Sequence, residues 1–151
     1  MQAHPSYMNT TFIFVADHAL RASIDSRHST FHIPLVIYAP DGSLPAQIKE
    51  EYVSQYDLLP TLDSLLGLEV EISTFGRSLL TEDSLAFSGV LSKQGNIATW
   101  MSPQGWLTFD AVSGTSLEFS GDDQYAQQAE VWSKARLQLV DRLLTSNAWA
   151  R

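Results

Sequence analysis

The chain has 151 residues, 44% of them hydrophobic and 17% charged, enough for a domain with a proper core and unlike a disordered tract. Its formal net charge is −8, with no cluster of Lys or Arg, which argues against a nucleic-acid partner because like charges repel a phosphate backbone. Cysteine is absent, so disulfides, thiolate nucleophiles and Cys-type zinc sites are excluded.

The first residues, Met1 to Tyr7, lack a basic region followed by an apolar core and so are no signal peptide; no stretch approaches the roughly 18 apolar residues that span a bilayer. From Phe12 through Ala16 every residue is apolar, which predicts a strand buried on both faces of a parallel sheet. A buried strand with so little ahead of it to supply neighbours reads as a cut made in a longer protein. Asp17 and His18 end this strand. Residues 19–30 are polar and read as a loop, with His28 inside it. A second apolar strand is expected over Phe31 to Ala39, with Pro34 near its start because proline donates nothing to a ladder. Ala39-Pro40-Asp41-Gly42 then turns the chain.

Downstream, Tyr56 to Gly67 carries helix punctuation. Asp57 is placed to cap, Pro60 lies in the first turn, Leu58, Leu62, Leu65 and Leu66 share a face, and Gly67 can end the helix in the left-handed conformation. Past Leu85, short apolar runs alternate with turn residues: 85–91, 97–101, 106–109 and 117–119. Their spacing predicts an antiparallel meander of three or four strands. Asp122 or Asp123 opens a closing helix to about Ser146, with Trp132, Ala135, Leu139, Val140 and Leu143 expected to dock on the sheet.

An aspartate beside a histidine at a strand's carboxyl end offers two good ligands for zinc or manganese. The alternative is an Asp that caps the next turn beside a solvent-facing His. His32, just before the second strand, and His28 in the loop bring three of the 4 histidines into one short stretch. That clustering favours function, although His32 alone would serve equally as a structural neighbour of Pro34.

Four segments occur here in the order in which the sulfatases carry them: 14–18, ending in Asp17-His18; 32–40, from His32 to Pro40; 55–62, containing Asp57 and Pro60; and 75–79, containing Gly76-Arg77. Over Thr11 to Leu80 the chain resembles the sulfatases of the alkaline phosphatase-like superfamily. The nearest branch is that of the lipoteichoic acid synthase-like phosphoglycerol and phosphoethanolamine transferases. The resemblance implies an α/β domain over residues 1–80, followed over 81–151 by a small antiparallel sheet with a closing helix. It implies that Asp17 and His18 hold a divalent metal, zinc or manganese, or calcium in a true sulfatase. His32, or else His28, would contact phosphoryl or sulfuryl oxygens or protonate the leaving group. The Asp57 segment and Gly76-Arg77 are expected to be structural. Ala19 replaces the glycine that usually follows Asp-His, so its φ should not be positive.

The resemblance further implies that the nucleophile and an acidic metal ligand lie upstream, outside this chain. The parent would then be a metal-dependent transferase or hydrolase of phosphate or sulfate esters, with lipid or glycan substrates. It would act at the extracytoplasmic face of the bacterial inner membrane, and this chain alone would be soluble and inactive. Two other readings stand beside it. One is a non-enzymatic α/β interaction module; the other is a complete small metallohydrolase using Asp17, His18, His28 and His32. An unpaired edge on the first strand predicts self-association.

Overall fold

A computed structural model describes residues 4–19, 31–81 and 89–148. The chain divides into two units, residues 1–50 and 51–151. The expected architecture is present: mixed α and β elements, a small antiparallel sheet and a C-terminal helix.

In the first unit, β1 (Phe12–Val15) and β2 (Leu35–Tyr38) form a two-stranded sheet. Their pairing is antiparallel, from Phe12↔Tyr38 to Val15↔Leu35, which corrects the parallel arrangement expected from the apolar run. An unbroken run reports burial rather than strand direction, and the 31–34 approach to β2 suits either sense. Burial is also only partial. Phe14, Val15, Val36 and Tyr38 are exposed, so the expectation of a strand buried on both faces fails among the described residues. Phe12 stacks on its partner Tyr38 at 6.2 Å and on Phe14 at 6.3 Å, while the Tyr7 and Tyr38 hydroxyls lie 3.1 Å apart. After β2 the chain turns as expected: the Gly42 N–H donates to Ala39 O, and Asp41 Oδ1 accepts from the backbone and hydroxyl of Ser43.

The second unit opens with a 3₁₀ turn, Gln55–Asp57, that leads into α1 (Leu58–Leu66). Gly67 ends the helix at φ 59, ψ 40, as its missing Cβ allows. The expected role of Asp57 is corrected. It does not cap α1 with its side chain; it completes a capping box one turn earlier, accepting from the Ser54 N–H at 2.7 Å. Its other oxygen accepts from the Arg77 N–H at 2.8 Å, 20 residues on. Thr61, fully buried, repeats the pattern: its hydroxyl donates to Asp57 O and accepts from the Leu79 N–H. Gly76 is needed at this seam, because a Cβ there would collide with the Tyr56 carbonyl. The leucine face is only half-buried, and Leu66 is exposed.

The meander consists of β3 (Val90–Gln94), β4 (Ile97–Ser102), β5 (Gly105–Asp110) and β6 (Ser116–Ser120), in the order β3-β4-β5-β6. The first strand lies later than the expected 85–91 run, part of which falls outside the described residues. Gly95-Asn96 and Pro103-Gln104 are two-residue hairpin loops, with Gly95 at φ 59.

α2 (Asp123–Thr145) closes the unit, with Asp122 Oδ1 accepting from the Tyr125 N–H at 2.7 Å. The residues it buries are Tyr125, Ala129 and Ser133, four apart, and not the expected Trp132 and Leu139, which are exposed. The sheet explains the difference. Trp100, Leu107 and Phe109 already fill the core, so the facing helix stripe must be small at its centre. Ala129 and Ser133 are both at 0% exposure. Tyr125 locks the start of the helix, its hydroxyl donating to Gly105 O at 2.6 Å with Ser102 Oγ 3.0 Å away. Arg136, two turns on from Ala129 along the same stripe of α2, ties the helix to the 75–79 segment in a clamp, donating to Phe75 O at 3.0 Å with its guanidinium 5.0 Å from the Phe75 ring. Burial pulls the Arg136 pKa down, and the Asp57 carboxylate opposes that pull. Among the described residues no helix is long and apolar enough to cross a membrane.

Two outcomes follow. Asp57→Ala strands the Ser54 and Arg77 N–H groups and should lower unfolding stability by about 2–4 kcal/mol in urea titrations; a loss below about 0.5 kcal/mol would remove the clamp from the account. In the β5–β6 loop, Asp110 Oδ1 accepts from the Val112 and Ser113 N–H groups at 2.8 Å each. Its pKa is lowered, first by the Ser113 bond and then by that of Val112. A depressed folded value contributes stability above the unfolded pKa, and this is lost as pH falls through the folded one. The stability difference between the natural chain and Asp110→Asn should therefore be present at neutral pH and fade below about pH 4. A difference that is constant with pH would be the wrong result.

Candidate metal-binding pair at the end of the first strand

The β1–β2 ladder stops for a covalent reason. Beyond Val15↔Leu35 the next pair is Ala16 and Pro34, where the Ala16 N–H donates to Pro34 O at 3.4 Å. Proline has no N–H to return the bond, so the exchange is one-sided and the ladder ends there. Asp17 and His18 are released from sheet geometry immediately after a fixed strand.

Asp17 and His18 turn toward each other. Asp17 Oδ1 accepts from the N–H of the next residue, His18, at 2.9 Å, a local contact that needs no ligand. Asp17 Oδ2 lies 3.7 Å from His18 Nε2, and the other ring nitrogen, Nδ1, lies 3.0 Å from Ala19 O. Both side chains stand in solvent, at 89% exposure for Asp17 and 77% for His18. Ala19 is not among the non-glycine residues with positive φ, which are Glu69 and Asn147, as its substitution for glycine requires.

An anionic oxygen and an imidazole nitrogen facing one another suit a borderline divalent ion such as zinc or manganese. Two donors on a tetrahedral zinc with bonds of about 2.0–2.1 Å stand about 3.3 Å apart, so the gap needs little closure. The pair supplies half of a four-coordinate shell. Among the described residues no group of three His, Asp or Glu side chains gathers to hold a metal. His32 is exposed and does not complete such a group; His28 lies outside the described residues.

The segments read as structural behave so. Asp57 is buried with both carboxylate oxygens engaged within the protein, and the Gly76-Arg77 backbone is the seam that it closes. The Arg77 guanidinium pairs with Glu51 at 2.7 Å. What sequence reasoning missed near the site is the Ala19 carbonyl, since a backbone acceptor leaves no trace in residue identity.

Comparison with known proteins bears on the same region. Residues 1–68 match the sulfatase family model, a span that includes β1, Asp17-His18, β2 and α1. No curated protein matches the sequence. The fold is similar to the crystal structure of a protein in the alkaline phosphatase superfamily from Vibrio parahaemolyticus, with a TM-score of 0.75 and 17% identity. The likeness covers 99% of this chain and 38% of that one, so this chain spans well under half the length of its structural neighbour. At this identity the likeness is one of fold. The sulfatase match over the first 68 residues and the fold likeness over nearly the whole chain together support the alkaline phosphatase-like superfamily.

Proposed function

We propose that the chain is the C-terminal portion of a metal-dependent, sulfatase-family enzyme acting on phosphate or sulfate esters, in which Asp17 and His18 are two of the metal ligands. The observation that carries this reading is the approach of Asp17 Oδ2 to His18 Nε2, 3.7 Å apart at the carboxyl end of β1 and inside the sulfatase-matching segment. The superfamily includes hydrolases and transferases of such esters and generally uses divalent metals.

When bound, a divalent ion would polarise the ester oxygen and favour the ionised form of a nucleophile. Asp17 brings negative charge to it and His18 a neutral nitrogen. Calcium prefers oxygen donors throughout and would make no use of His18, so the pair favours zinc or manganese. His32, just before β2, or else His28, would contact the phosphoryl or sulfuryl oxygens or supply a proton to the leaving group. The nucleophile and the remaining ligands come from outside this chain, which alone turns over no ester. Within the superfamily the order of motifs favours the lipoteichoic acid synthase-like transferase branch, with lipid or glycan substrates at the extracytoplasmic face of the bacterial inner membrane. The exposed Phe14, Val36 and Tyr38 face supports self-association of the isolated chain.

A non-enzymatic interaction module is the second reading. It draws on the local engagement of Asp17 Oδ1 by the His18 N–H, which needs no metal.

Titration calorimetry with Zn²⁺ and Mn²⁺ separates the two. Weak binding that falls by at least about tenfold in Asp17→Ala and in His18→Ala is expected, since even a supporting partner of a ligand is worth that much. Binding indifferent to both substitutions would favour the module. Phosphatase or sulfatase turnover by this chain, abolished in Asp17→Ala, would overturn the claim that the nucleophile lies elsewhere.

A further inference from the structure

We infer that the backbone carbonyl of Ala19 is a positioning group that holds His18 in its Nδ1–H tautomer and leaves Nε2 as a bare electron-pair donor aimed toward Asp17. The inference gains its use from the metal reading above, but its footing is the local geometry. A carbonyl oxygen has no proton to give, so its 3.0 Å contact with Nδ1 is a hydrogen bond only when Nδ1 carries the proton. A neutral imidazole has one such proton, and Nε2 is then without it.

The consequence lies on the other side of the ring. Nε2 stands 3.7 Å from Asp17 Oδ2, beyond direct hydrogen-bonding distance. Two lone-pair donors face each other across that gap, an arrangement that a cation between them would stabilise. With the His18 ring 77% exposed there is little packing to fix its orientation, which leaves the task to hydrogen bonds. Ala19 also sharpens the device. Alanine has fewer backbone conformations open to it than glycine would have, which narrows the range of positions its carbonyl can take.

His4 provides an internal contrast. Its Nδ1 accepts from the Ser6 N–H at 3.2 Å, which requires the opposite, Nε2–H tautomer.

Long-range ¹H–¹⁵N correlation spectra of the metal-free 151-residue chain test this directly, at about pH 9 where an imidazole is neutral. The expected result is His18 with Nδ1 protonated and Nε2 bare, and His4 with the reverse pattern in the same spectrum. An Nε2–H form at His18, or the averaged pattern of an unrestrained ring, would overturn the inference. Ala19→Gly should shift part of the His18 population toward Nε2–H; an unchanged spectrum would remove the restraint assigned to alanine. Added Zn²⁺ should then move Nε2 and leave the Nδ1–H in place, and entry at Nδ1 would again overturn the inference. If Zn²⁺ leaves His18 unmoved while the Nδ1–H tautomer persists, the positioning role stands and it is the metal reading that falls.

Discussion

The antiparallel register of β1 and β2 is the constraint on which the candidate site depends. It aligns Ala16 with Pro34, and the missing proline N–H ends the ladder one pair later than Val15↔Leu35. A strand holds its last residue firmly while the next two are free to curl. Asp17 and His18 occupy those two positions, so their side chains meet in water at the tip of a fixed element. Shifting the register by one residue would turn the side chains of one strand to the opposite face of the other and move the stop away from the pair.

Much of this was legible in the residues. Pro34 announced the start of β2, Gly67 the left-handed end of α1, and the turn residues after 91 the hairpins of the meander, because each acts through its own backbone. Asp17-His18 stood out by chemistry and position. Strand direction was not legible, since five apolar residues in a row look alike in either sense. The docked face of α2 was missed because bulk was taken as the sign of burial. In fact the sheet supplies the bulk, in Trp100, Leu107 and Phe109, and the helix answers with Ala129 and Ser133. The second bond of Asp57, to an N–H 20 residues away, is a property of the tertiary fold that no local window contains.

Within the second unit, directional polar contacts carry much of the specificity. Asp57 and Thr61 each bind one backbone group beside α1 and one in the 77–79 segment, and Arg136 adds a bond to Phe75 O from α2. Hydrophobic burial is less tidy: Leu59, Leu66, Leu68 and Val70 are all exposed around the same helix. Apolar contact gives a helix affinity for a surface but tolerates small shifts; a buried carboxylate with two N–H partners does not.

The seat of α2 on the sheet has the character of a notch. Its two contact residues at zero exposure, Ala129 and Ser133, are each followed or preceded by a charged neighbour, Glu130 and Lys134. These two pair with one another along the flank of the helix, with Lys134 5.9 Å from the Phe109 ring. Moving the helix on by a single residue would bring that ion pair to the positions Ala129 and Ser133 now hold, where nothing is exposed to water. Small residues against the sheet, each with a charged neighbour beside it, therefore single out one phase for the helix.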